Sequence, residues 1–142
     1  MKYNLENIRF KHVSKVDYEF LYDLLAERNH ISNISHKKMP TFKAHQKFVS
    51  SKPYKKWYII KHSQDSIGSL YLSHQNEIGF FLKKQFNDGK TTNFILKLFM
   101  KQNPYSEYFV NINPKNKKLI NFYKKFGFSL LQKTFKFETT SR

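Results

Sequence analysis

The run Gly89-Lys90-Thr91-Thr92 sets a flexible backbone, an ammonium and two hydroxyls side by side, a combination suited to phosphate oxygens. Its first three residues match the tail of a nucleotide-triphosphate loop, Gly-x-x-x-x-Gly-Lys-Ser/Thr. The first glycine of that pattern falls on Lys84, however, and the long parallel-sheet context is missing, so a triphosphatase is set aside. His30, His36 and His45 share one stretch, and an imidazole can act as a base near neutral pH, although singly each is equally an exposed loop histidine. No pair of histidines has the His-Glu-x-x-His spacing of a metal site, so no metal is expected. The chain has no cysteine, which removes disulfides, thiolate metal sites and a cysteine nucleophile. Lys37, Lys38 and Lys43, followed by Tyr54 and Trp57, read either as ammonium groups and rings for an anionic, base-bearing ligand or as solvated lysines and core aromatics.

Those lysines belong to a wider excess of 26 Lys+Arg over 10 Asp+Glu, a formal net charge of +16 that favours anionic partners. Nearly all are Lys, and Asn, Phe, Tyr and Ile are also abundant. These are the residues of A/T-rich codons, so compositional drift produces the same basic surface with no ligand behind it. A nucleic-acid binder is an alternative on charge alone, but no helix-turn-helix, finger or RNP-like motif accompanies it, and nucleic acid is not the expected partner. With 142 residues, 39% hydrophobic and 18% aromatic, the chain is expected to be one folded domain over 1–142. Met1 to Asn7 carry no apolar signal core, and no run approaches the ~20 apolar residues of a membrane helix. A cytoplasmic chain without membrane insertion is the expectation.

The elements that must position these residues follow from periodicity. Ile8 to Val13 alternate as a half-buried strand. Ser14 and Asp17 have capping-box spacing ahead of a helix whose stripe is Val16, Phe20, Leu21, Leu24 and Leu25. A polar loop runs from Arg28 to Pro40, and Thr41 caps a shorter helix expected to bury Phe48 and Val49. Trp57–Ile60, Ile67–Leu72 and Glu77–Leu82 then read as an antiparallel meander with short turns. A long helix through Phe94, Ile95, Leu98 and Phe99 is stopped at Asn103-Pro104, and Tyr108–Ile112 reads as a fifth strand. Asn113 and Pro114 suit the N-cap and first position of a last helix, which Gly127 closes. Phe128–Leu131 and Thr134–Phe137 read as a closing pair of strands.

Within this order, Asn113-Pro114, Asn116, the aromatic pair Phe122-Tyr123 and Gly127-Phe128 resemble the C-terminal motif of the GNAT (Gcn5-related N-acetyltransferase) superfamily over about sixteen residues. Ile67-Gly68 with Glu77-Ile78-Gly79-Phe80 is similar, more loosely, to that family's central hairpin. The resemblance implies an α/β (α+β) fold, a mostly antiparallel mixed sheet with a splayed parallel pair, flanked by helices.

It also implies an N-acetyltransferase moving an acetyl group from acetyl-CoA, as co-substrate, to a primary amine. Tyr123 matches the family's general acid, and Glu77 the carboxylate that takes the amine proton. Phe81 and Leu82 match the strand that pairs with the pantetheine arm, a backbone N–H near Leu82 serves the thioester carbonyl, and Asn116 bonds the arm or orders the site. The family's pyrophosphate loop, Gln/Arg-x-x-Gly-x-Gly/Ala, falls here on Asn87, Lys90 and Thr92, with Gly89 one residue early. Side-chain donation by Lys90, Thr91 and Thr92 would then replace the lost backbone donation. Arg28, Asn29 and His36 lie on the acceptor side, and resemble members that acetylate nucleotide-linked amino sugars of polysaccharide pathways or protein N-termini. A weakly active or inactive GNAT-fold binding module is the alternative reading, and the chain is expected as a monomer or homodimer.

Overall fold

The computed structural model describes residues 3–28 and 39–139. Strands β1 (Ile8–His12), β2 (Lys56–His62), β3 (Asp65–Leu72) and β4 (Ile78–Leu82) form an antiparallel sheet in that spatial order. The register sets Phe10 opposite Ile60, Ile59 opposite Ser69, and Leu70 opposite Phe80. Ser63 and Asn76 turn the chain between strands in the left-handed region, at φ 55° and 63°. Because side chains alternate along a strand, the meander has two apolar faces. One carries Phe10, Tyr58, Ile60, Leu70, Leu72 and Ile78 onto Ile95, Leu96 and Phe99 of a helix at Gly89–Gln102. The other carries Ile59 onto Leu21 and Val49, from helices α1 (Tyr18–Arg28) and α2 (Phe42–Ser50). The helix at Gly89–Gln102 is α3, and α4 spans Lys117–Phe126.

The caps follow local chemistry with two differences. A 3-10 turn at Lys15–Asp17 leads into α1, and the Asp17 carboxylate accepts the Ser14 backbone N–H at 2.9 Å. That turn has three residues per revolution, so Val16 falls off the α1 stripe and is 82% exposed instead of buried. Thr41 Oγ1 accepts the Ala44 N–H at 3.1 Å at the start of α2. The inward positions of α2 are His45 and Val49, one turn apart; Phe48, expected inside, is 43% exposed.

Three expectations about the C-terminal part are corrected. Tyr108–Ile112 is not a full strand: it meets β4 only through a parallel bridge between Glu77 and Phe109, and then the two segments splay apart. Asn113 does not cap α4. Its side chain accepts the Lys115 N–H at 2.9 Å in a turn through Pro114, and Asn116 does the capping by accepting the Leu119 N–H at 3.2 Å. Gly127 closes α4 at φ 128°, and the following Phe128 N–H donates to Tyr123 O at 2.9 Å. The closing strands Phe128–Leu131 and Thr134–Phe137 do not form: among the described residues this stretch joins no β-ladder, and alternation without a ladder makes no strand. No described helix is long and apolar enough to cross a membrane.

Gly79 is required by a close approach: a Cβ there would overlap the ring of Tyr71, which is itself stacked on Tyr54 at 3.8 Å and 2°. Gly79→Ala is expected to lower stability by about 1–3 kcal/mol through overpacking. A denaturant titration checks this, and an unchanged midpoint would show that the ring pair moves freely.

Candidate active site in the cleft beside strand β4

Beyond its first residue, β4 is paired on one side only. Ile78 N–H donates to Phe109 O at 2.8 Å, away from β3, whereas Lys83 N–H donates to Ile67 O at 2.8 Å, toward β3. Backbone groups alternate in direction along a strand, so Phe80 and Leu82 turn their N–H and C=O to the same side as Ile78. The facing segment has left by then, and among the described residues neither group meets a backbone partner there. A cleft of about 450 Å³ opens in the gap, walled by β4, residues 110–113, the first turn of α3 and the inner side of α4.

Tyr123 reaches this cleft from α4 and is 6% exposed. Burial pushes its phenol well above the ordinary tyrosine range, so it stays protonated through neutral pH. Glu77 stands where the two segments join. Its carboxylate accepts the Ser73 hydroxyl and the Asn111 side-chain amide, each at 3.4 Å, and so spans both walls. A second cavity of about 190 Å³ lies on the opposite face of the sheet among Leu21, His45, Phe48, Tyr54, Trp57 and Ser69. Tyr71 and Phe81 border both spaces.

The start of α3 holds the largest departure from expectation. Asp88 is its N-cap: Oδ1 accepts the Thr91 N–H at 2.8 Å, and Oδ2 accepts the Thr91 hydroxyl at 3.1 Å and the Tyr3 phenol at 2.8 Å. Partial burial works against the charge, but the Thr91 and Lys90 N–H groups and the Tyr3 and Thr91 hydroxyls outweigh it and hold the carboxyl below its usual range. The helix N-terminus, where the dipole favours an anion, is therefore already filled by one of the chain's own.

Of the residues singled out by sequence, Glu77, Phe81, Leu82, Asn87, Gly89, Thr92, Asn116 and Tyr123 line the cleft. Lys90 and Thr91 do not. Thr91 is fully buried with its hydroxyl engaged by Asp88 and Tyr3, and Thr92 donates its hydroxyl to Asp88 O at 2.8 Å. The expected substitution of threonine hydroxyls for the missing glycines is thus corrected: hydroxyls in a first helical turn bond back to the cap. Arg28 ends α1, while Asn29 and His36 lie outside the described residues, as do His30, Lys37 and Lys38. Asp88, Asn111 and Tyr71 were not singled out. Asp88 was legible as a good cap three residues before Thr91; the other two carry no local signal. Among the described residues no group of three or more His, Asp or Glu side chains could hold a metal ion.

No protein-family model matches the chain, and no curated protein matches it in sequence. Solved structures do match in fold. A domain from Methanocaldococcus jannaschii superposes with TM-score 0.70 at 18% identity, over 89% of this chain and 91% of the other. Spermidine N-acetyltransferase from Vibrio cholerae, in complex with CoA and spermine, gives TM-score 0.71 at 13% identity, over 86% and 80%. The microcin C7 self-immunity acetyltransferase MccE, in complex with acetyl-CoA and AMP, gives 0.65 at 17% identity, over 87% and 79%. The architecture is that of the GNAT acetyltransferases, as the Asn116–Tyr123–Gly127-Phe128 spacing leads one to expect.

The Asp88 cap yields a pH signature. A carboxyl held below its ordinary 3.8 stabilises the fold above that value, and the contribution is lost as pH falls through the lower folded-state value. Asp88→Ala is expected to cost about 1 kcal/mol at neutral pH. In thermal melts, the gap from the parent chain should close as the buffer is taken below the ordinary aspartate range.

Proposed function

We propose that this chain is an N-acyltransferase that moves an acetyl group from acetyl-CoA to a primary amine. The observation that carries the reading is the gap beside β4, where the outward backbone groups of Phe80 and Leu82 offer an extended pantetheine arm the pairing that an added strand would have. The thioester end of the carrier fits the residues present. The diphosphate end does not fit at the start of α3 in the way a glycine loop would hold it, because the Lys90 and Thr91 N–H groups already serve Asp88 and its charge opposes a phosphate. Lys118, which borders the cleft, is the cation placed to hold phosphate oxygens instead.

Acetyl-CoA, when bound, supplies an activated acyl carbonyl and a thiolate leaving group. The Leu82 N–H, aimed into the gap, donates to the thioester oxygen as the amine nitrogen bonds the carbonyl carbon and the carbon–sulfur bond breaks. Glu77, its carboxylate steadied by Asn111, takes the ammonium proton through water. Tyr123, kept protonated by burial, gives its proton to the departing sulfur and regains one from the acylated nitrogen, which leaves as the neutral amide.

The acceptor side is the second cavity, where Tyr71 and Phe81 connect to the cleft. Among primary amines we favour an amino sugar carried on a nucleotide diphosphate. Tyr54, Trp57 and Tyr71 border that cavity and can stack a base, and Lys43 on α2 adds positive charge. A polyamine such as spermine is a poorer candidate, since no Asp or Glu borders the cavity among the described residues. Asp88 favours a second reading, a GNAT-fold module without catalysis.

Calorimetry with acetyl-CoA separates the two. Micromolar binding with acetyl transfer to an amine panel supports the enzyme, and undetectable binding supports the module. Tyr123→Phe should lower kcat roughly 10²–10⁴-fold with little change in acetyl-CoA affinity; unchanged turnover removes Tyr123 from the reaction. Asp88→Asn keeps a capping side chain without the charge, and should tighten acetyl-CoA about two- to fivefold. Equal or weaker binding would mean that the phosphates approach some other part of the surface.

A further inference from the structure

We infer that Asn76 is a positioning residue for the acyl carrier: it pins residues 107–109 to the turn between β3 and β4, and so keeps the gap beside β4 from closing. The inference rests on the acyltransferase reading of the cleft.

Asn76 turns the chain at φ 63°, in the left-handed region that Gly, Asn and Asp tolerate best. Its C=O accepts the Phe109 N–H at 2.9 Å, and its side-chain amide donates to Glu107 O at 3.2 Å. At the other end of the amide, Oδ1 accepts the Lys55 ammonium, which also lies 4.3 Å from the centre of the Tyr105 ring. An ammonium only donates and a backbone carbonyl only accepts, so these partners fix which way the amide lies. The position therefore needs a left-handed backbone, a donor and an acceptor together. Glycine offers the first alone and aspartate lacks the donor. Asparagine has all three.

The grip falls on one side of the bridge only. The Tyr108 phenol accepts the Tyr105 N–H at 3.0 Å and donates to Asn103 O, which closes 103–108 into a loop that Asn76 and Lys55 hold. Past Phe109 the backbone is not held in the same way. A parallel ladder continued in this register would next join the Asn111 N–H to Ile78 O and the Phe80 N–H to Asn111 O. Among the described residues neither bond is made. A bridge of two bonds can pivot, and a pivot toward β4 would form both of them and use up the Phe80 N–H that the carrier needs. The contacts to Glu107 and Lys55 oppose that pivot. The angle at which 110–112 leave β4 is therefore set from the far side of the bridge.

Asn76→Gly tests the inference, because it keeps the turn and deletes both side-chain bonds. Ser63→Gly is the matched control: Ser63 turns the chain at φ 55°, bonds through its backbone, and does not border the cleft. In the free protein, amide hydrogen exchange at Ile78 and Phe109 should speed up roughly tenfold in Asn76→Gly, with Lys83 at the far end of β4 unchanged. By calorimetry, acetyl-CoA should bind Asn76→Gly about five- to tenfold more weakly, and Ser63→Gly as tightly as the parent chain. Lys55→Met leaves the turn untouched and serves if Asn76→Gly does not fold; its expected loss is about two- to threefold. Unchanged exchange at both amides overturns the pin. Faster exchange with unchanged acetyl-CoA affinity, or an equal loss in Ser63→Gly, overturns the positioning role. A parent chain that binds no acetyl-CoA overturns the acyltransferase reading and the positioning role together, while the exchange rates still report on the pin.

Discussion

Strand β4 can satisfy a neighbour on each side, yet beyond Ile78 it has one only on the β3 side. A single parallel bridge, Glu77 to Phe109, pins the next segment at one point, and from there the backbones diverge. Buried peptide groups without partners are costly, so a fold keeps such a gap open only when something polar occupies it or water reaches it. The remainder of the molecule supports that opening. The sheet and α3 hold β4 rigidly through Leu70, Leu72, Ile78, Ile95 and Phe99, and α4 lays Tyr123 across the far side. Tyr71, wedged over Gly79 and stacked on Tyr54, fixes the strand from the other face.

The electrostatics of the cleft oppose the bulk composition. The chain is strongly basic, but the helix terminus best placed to greet a phosphate carries Asp88, bound by two backbone N–H groups and two hydroxyls. A fixed carboxylate at the helix terminus matters more there than dispersed surface lysines, because salt largely screens exposed charges more than about 10 Å away. Net charge thus says little about this site. The placement of one side chain says more.

Local rules described much of the chain correctly. Alternation located β1, apolar runs between short turns located β2 to β4, and cap chemistry located the start of α2 and the end of α4 at Gly127. The misreadings share a cause. Asn113 and Asn116 are equally good caps in sequence, and the choice falls to Asn116 because the turn through Pro114 consumes the Asn113 side chain. Val16 and Phe48 fit apolar stripes, but a tight turn and a neighbouring histidine displace them. The stretches expected as strands at the C-terminus have the right alternation, but they form no ladder among the described residues.

The amino-acid order by itself determined the periodicities, the caps and the spacing that ties Asn116, Tyr123 and Gly127-Phe128 to a known architecture, because those depend on residues a few positions apart. Only the tertiary structure decided which backbone groups of β4 stay open, that Asn111 meets Glu77, and that Thr91 turns inward to meet Tyr3. Each of those is a meeting between segments distant in sequence, or a competition between donors for one acceptor. Such contests are settled by packing, which no local pattern contains.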